Sequence, residues 1–149
     1  MEQNYMLKTF SLIALMFMAL ALTGLAIRGV LFSSHPLAIV LEVTAAGLML
    51  WARVTFGARS FHAAANPTPG GLITTGPYRY IRHPIYTAIF LFAWSGILTN
   101  WTSIDATLGA LLLLGAVSRI LCEESLLIKS YPTYLEYAKS TKRMFPFIY

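Results

Sequence analysis

The chain has 149 residues, the size of one domain, and 57% of them are hydrophobic against 11% charged, with a formal net charge of +5. Soluble domains carry about 25% charged residues, so this composition points to lipid contact and away from a surface that faces water all round. The positive balance does not indicate nucleic acid, because nine of the eleven Lys and Arg fall within 53–82 and 119–143, where they flank apolar runs as cytosolic charge does in membrane proteins.

Four apolar segments follow in chain order. The first runs from Thr9 to Ile27 without a charge and continues past Arg28 to Phe32. About 20 residues span a bilayer core, and with no small-residue cleavage site behind it this segment reads as a retained helix rather than a removed signal peptide. Ser33-Ser34-His35-Pro36 makes the turn, and Pro36 suits the first position of the second helix, which runs to about Thr55. That helix carries Glu42 inside the span, where a carboxylate is expensive. A structural role is expected for it, either neutral or paired with a cation such as Arg28.

The stretch 64–76 is rich in Pro and Gly and reads as a loop. A short helix is expected over Pro77–Arg82, with Thr75 and Gly76 ahead of it. It ends at His83 because Pro84 disfavours the α conformation in the residue before it. The third membrane helix then begins at Pro84 and runs to about Thr99, so the chain bends sharply at the membrane face. The fourth runs from about Ala106 to Leu121, and with the third forms a tight hairpin. Neither turn, at 29–36 or at 100–104, holds a Lys or Arg, so the termini and the 57–83 loop are expected in the cytosol. The expected fold is an all-α integral membrane protein of one domain over 1–149. It has two helices in 1–56, a cytosolic loop at 57–83, two helices in 84–122 and a cytosolic tail from 123 to 149.

Two clusters carry chemistry. The first is Gly76-Pro77-Tyr78-Arg79-Tyr80-Ile81-Arg82-His83-Pro84-Ile85-Tyr86, aromatics and cations wrapped around two prolines. Tyr side chains stack on a purine and still offer a hydroxyl. On composition the same residues equally suit an interfacial belt of Tyr and Arg. The second is Arg119-Ile120-Leu121-Cys122-Glu123-Glu124. Arg119 and Glu123 share a helix face, while Glu124 is rotated by about 100° from Glu123. Two carboxylates at a helix C-terminus oppose the macrodipole and call for a cation such as Arg79, Arg82 or a ligand. An ordinary intrahelical ion pair is the plainer reading of Arg119 and Glu123. His35 and His62 read as solvated, Cys122 is alone, and no metal-ligand spacing is present.

The first cluster, a hairpin of apolar residues and then Arg-x-x-x-Glu-Glu resemble the isoprenylcysteine carboxyl methyltransferase family, and phospholipid methyltransferases share a related pattern. Tyr131-Pro132-Thr133-Tyr134-Leu135-Glu136-Tyr137 with Thr141-Lys142-Arg143-Met144-Phe145-Pro146 looks like the family's closing segment. The resemblance covers about residues 70–149. It implies an enzyme that uses S-adenosylmethionine, bound from the cytosolic side, on a lipophilic substrate admitted from the bilayer. Position by position it implies cofactor contacts at Leu72, Ile73, Tyr78, His83, Pro84, Ile85, Tyr86 and Glu123, and substrate handling by Arg119. His83 would be the proton acceptor if the substrate were an amine. Gly70-Gly71 stands where eukaryotic members have His-Thr, and Ala88 stands where a Gly is common; these departures bear on the substrate more than on the cofactor. One alternative is a sterol-reductase-like enzyme using a nicotinamide dinucleotide phosphate, with Pro146-Phe147-Ile148-Tyr149 as its closing motif. Another is a membrane scaffold packed through Gly24, Gly47, Gly109 and Gly115.

Overall fold

A computed structural model describes residues 2–57 and 71–145. Among these residues the elements are α1 (Glu2–Ile27), α2 (Pro36–Phe56), a 3₁₀ turn (Gly76–Arg79), α3 (Pro84–Thr99), α4 (Ser103–Ser130) and α5 (Tyr134–Ser140). Most of the Pro- and Gly-rich loop, with His62 and Gly70, lies outside the described residues, as does the closing Pro146–Tyr149. Three helices, α1, α2 and α4, are long and apolar enough to cross a membrane, and α3 is a shorter apolar helix of 16 residues. Their outward faces carry large apolar side chains, among them Phe10, Met16 and Leu20 on α1, Val40, Val43 and Leu50 on α2, and Leu114 on α4. Side chains of this kind suit lipid, whereas water would disfavour so continuous an apolar surface. The protein is an all-helical integral membrane protein.

Proline sets two of the helix starts. Pro36 and Pro84 each stand in the first turn, where the missing N–H breaks no helical bond. His83, just before α3, has φ −125° and ψ 56°, the non-helical bend that Pro84 imposes.

Small residues decide which helices meet. Gly115 lies against Met18 and the Ala14 carbonyl, and Gly24 against Leu108, so α1 and α4 run antiparallel and close together. Gly109 faces Trp94 and Ile97 of α3. Gly47 faces open space. The core joins Met18, Ala21 and Leu25 of α1, Val30 of the turn, Ala93 and Ile97 of α3, and Leu112 and Ala116 of α4. The expected tight α3–α4 hairpin is thus looser than foreseen: the two are consecutive, but α4 lies mainly along α1 and α3 along α2.

Gly96 is the most constrained glycine of the core, since a Cβ there would lie 1.9 Å from the Val30 carbonyl oxygen. No rotamer relieves a clash with backbone. Gly96→Ala should therefore lower stability by about 1–3 kcal/mol, read as a lower midpoint of thermal unfolding in detergent.

Two further expectations are corrected. Arg28 pairs with Asp105, not with Glu42: its Nε and Nη2 both donate to that carboxylate, and Asp105 is almost fully buried. Thr102 completes this end of α4 by donating to Asp105 Oδ2 (2.5 Å) while its oxygen caps the Asp105 N–H. Glu42 is buried and accepts the Ser33 backbone N–H at 3.0 Å, which braces the α1–α2 turn. In addition, α4 does not stop near Leu121 but continues to Ser130, so Glu123 and Glu124 sit inside the helix, more than a turn from its end. The macrodipole is consequently a small consideration for them, since it acts within the last turn.

The antiparallel arrangement gathers the start of α1, the end of α2, the 3₁₀ turn, the start of α3, the end of α4 and α5 at one end of the bundle. The tail closes that end. Residues after α5 run beside the bend: Arg82 N–H donates to Lys142 O (2.7 Å), His83 N–H to Arg143 O (2.9 Å), and Lys142 N–H to Tyr80 O (3.2 Å). Thr87 Oγ1 adds a bond to Met144 O (2.7 Å).

Candidate active site

The bend before α3 and the last third of α4 meet on one carboxylate. Glu123 Oε1 accepts the Tyr86 hydroxyl at 2.5 Å and Arg119 Nη2 at 3.1 Å. Arg119 Nε donates in turn to the Tyr86 oxygen at 2.7 Å, closing a triangle. On the other side, Glu123 Oε2 lies 3.6 Å from His83 Nδ1. Arg119 is buried, with its Nη1 donating to the Ser11 carbonyl of α1 at 3.2 Å. The Glu123 side chain keeps 21% of its surface exposed, so this anion is the open edge of an otherwise covered cluster.

Local geometry explains the convergence. Arg119 and Glu123 are one helical turn apart, which puts both on the α4 face toward α3. Tyr86 stands in the first turn of α3, directly after the bend, so its phenol reaches back across to α4. His83, Pro84 and Tyr86 are brought together; the His83 and Tyr86 rings lie 5.8 Å apart. Ile85 is half-buried beside them.

Tyr78 is buried in the 3₁₀ turn and packs against Phe56 of α2 with ring centroids 5.4 Å apart. Burial raises its hydroxyl above the usual phenol range, with Tyr137 and Glu123 adding to the effect and Arg53 opposing it. It therefore stays a neutral donor within electrostatic reach of Glu123. Tyr137, on α5, is held above the usual range by burial as well and donates its hydroxyl to the Tyr78 carbonyl at 2.6 Å. Gly76 opens this turn at φ +57°, and a Cβ there would lie 2.5 Å from Thr55 Oγ1. A side chain is excluded there by both conformation and space. Leu72 and Ile73 are half-buried in the irregular stretch ahead of the turn, outside the hydrogen-bonded cluster of Tyr86, Arg119 and Glu123.

The adjacent Glu124 faces elsewhere. It is buried, and its oxygens accept Arg82 Nε at 2.8 Å and Arg143 Nε at 2.9 Å, with His83 Nε2 at 3.3 Å. Of the two cations expected to offset the carboxylates, Arg82 does so and Arg79 is exposed. Arg143, Thr141 and Tyr137 of the tail, and Ser11 of α1, were not anticipated as neighbours of the site. For the tail residues the advance signal was the likeness to a family's closing segment, which names no contact; Ser11 had none.

The donor set can be tested against S-adenosylmethionine, whose sulfonium and ammonium are cations and whose adenosine is a flat ring with hydroxyls. Glu123 is an exposed-edge carboxylate with acceptor capacity left on Oε2. His83 and Tyr86 flank it, and Tyr78 lies within its electrostatic reach. The residues fit such a group. Among the described residues no three His, Cys, Asp or Glu side chains converge as a metal site would require.

Comparison with known proteins gives the same direction. The sequence profile of the Isoprenylcysteine carboxyl methyltransferase (ICMT) family matches residues 36–129, which takes in α2, the bend, α3 and nearly all of α4. Over 76 residues the chain is 34% identical to the nickel-cobalt-cadmium resistance protein NccN of Alcaligenes xylosoxydans xylosoxydans, covering 50% of this chain and 36% of that protein. It is 33% identical over 76 residues to the cobalt-zinc-cadmium resistance protein CzcN of Cupriavidus metallidurans, covering 50% and 35%. The match thus spans about a third of the length of these curated relatives. No solved structure matches. A profile match over most of the chain, on the segment that carries both halves of the site, means that the protein belongs to the isoprenylcysteine carboxyl methyltransferase family.

Proposed function

We propose that the protein transfers a methyl group from S-adenosylmethionine to an ionised head group of a lipophilic substrate, at the cytosolic end of the bundle. The observation that carries this reading is the single carboxylate of Glu123, held by Tyr86 and Arg119 and flanked by His83, where the bend and the last long helix meet. The bound cofactor supplies an electrophilic methyl group on a sulfonium. Glu123 attracts and anchors the positive end of such a molecule, and Tyr78, His83 and Tyr86 shape the wall around it, with Leu72, Ile73, Pro84 and Ile85 as neighbouring backbone and apolar contacts. Arg119, whose nitrogens donate to Tyr86, Ser11 and Glu123, would act on an anionic head group through its charge from behind this cluster.

The surroundings of His83 bear on the acceptor. Its two ring nitrogens face Glu123 and Glu124 at 3.6 and 3.3 Å, and ionised carboxylates only accept hydrogen bonds. With both nitrogens already facing carboxylates, the ring is less available to take a proton from an amine. An acceptor that is already an anion needs no base. Attack of an anion on a sulfonium neutralises charge, and a water-poor site favours that change because water stabilises the separated ions more. The cytosolic placement rests on charge: among the described residues the site end carries Lys8, Arg53, Arg79, Arg82, Arg119, Lys129, Lys139, Lys142 and Arg143, while the opposite end has Arg28, paired with Asp105.

Thermal unfolding in detergent with S-adenosylhomocysteine tests the reading. A ligand at about 100 times its Kd stabilises a folded protein by about 2.7 kcal/mol, a clear upward shift. A shift with a nicotinamide dinucleotide phosphate and none with S-adenosylhomocysteine would overturn it in favour of reductase chemistry. Incubation with radiolabelled S-adenosylmethionine and a cellular lipid extract then identifies the acceptor.

A further inference from the structure

Glu124 lies next to the carboxylate that would meet the cofactor, yet it makes a different set of contacts. It is 7% exposed. Its two oxygens bind three basic side chains from two other parts of the chain. Arg82 and His83 come from the bend, and Arg143 from the tail. The same Arg82 donates Nη1 to the Ala138 carbonyl (3.1 Å) and the Thr141 carbonyl (2.5 Å). The tail backbone then pairs with the bend at 81–83. One buried carboxylate thus ties α4, the bend and the tail together at the back of the site.

His83 stands between the two carboxylates, with Nε2 on Glu124 and Nδ1 toward Glu123. Because Glu124 only accepts, it draws a proton to Nε2 and fixes the plane and rotation of the ring. That choice sets what Nδ1 presents to Glu123. We infer that Glu124 is a positioning residue: by holding His83, Arg82 and the tail segment 141–144 in place, it sets the His83 ring against Glu123 and so shapes the cofactor wall without touching the cofactor. The inference rests on the methyltransferase reading for its effect on binding, but its geometric part does not.

The two parts are tested separately in the full-length protein in detergent, with S-adenosylhomocysteine as the probe. Glu124→Gln keeps the size and removes the charge. It should weaken binding of the probe by about tenfold, the scale at the lower end of losing the orienting partner of a metal-bound His, and shift the ring nitrogen resonances of His83 in a ¹⁵N-histidine spectrum assigned with His83→Gln. Arg143→Ala removes one arm of the clamp, at a side chain that is one-third exposed. It should move both readouts the same way by less, and it serves if Glu124→Gln does not fold. A purely scaffolding Glu124 would lower the unfolding midpoint but leave affinity and His83 resonances unchanged well below that midpoint. That result in Glu124→Gln, or in Arg143→Ala where the former does not fold, overturns the inference. If the wild type fails to bind the probe, the methyltransferase reading falls. A shift of the His83 resonances on substitution would then still establish the clamp.

Discussion

Glu123→Gln is expected to weaken S-adenosylhomocysteine binding by about 10–100-fold, because a hydrogen bond to a charged group contributes about 1.5–3 kcal/mol and about 1.4 kcal/mol is a factor of ten. The substitution is nearly isosteric, so packing survives while the anion is lost. Arg119, buried beside it, would retain the Tyr86 hydroxyl and the Ser11 carbonyl but lose its carboxylate, so stability should fall as well. Affinity must therefore be measured by calorimetry well below the unfolding midpoint. Glu123→Asp keeps the charge but shortens the reach to Tyr86, and should fall between wild type and Gln. Wild-type affinity in Glu123→Gln would remove the carboxylate from the cofactor site.

Arg119→Ala is expected to separate turnover from cofactor binding. The rate of methyl transfer should fall by about 10²–10³-fold, the scale for losing one preorganised charged donor, while affinity for S-adenosylhomocysteine stays within about threefold because two changes at Glu123 oppose each other. The carboxylate loses a partner that orients it, and it also loses a competing positive charge at 3.1 Å. Arg119→Lys preserves charge without the fork that reaches Tyr86, Glu123 and Ser11 together, so most of the loss should remain. The readouts are single-turnover transfer from labelled cofactor and titration with the probe. A parallel collapse of binding and turnover would instead make Arg119 an anchor for Glu123.

Much of the membrane architecture could be read in advance because it is local. The charge-free run from Thr9 to Ile27, Pro36 and Pro84 as helix starters, and the bend at His83 all follow from neighbours in sequence: about 20 apolar residues suffice to span, and a proline restricts the residue before it. Arg119 and Glu123 on one face follow from helical periodicity. The length of α4 did not, because Arg119, Glu123 and Glu124 look like the end of an apolar run. Buried partners for all three allow the helix to continue to Ser130.

What the residues determined alone was the solvent of this chain, its helices and its two clusters of aromatic and ionisable side chains. The tertiary structure decided which of them meet. It paired Arg28 with Asp105 rather than Glu42, gave Glu123 and Glu124 different neighbours, and brought Ser11 and the tail to the site. These partners are separated by 19 to 108 residues, so no local spacing relates them. Only packing of one helix on another, governed by where glycines permit close approach, brings their charges within reach.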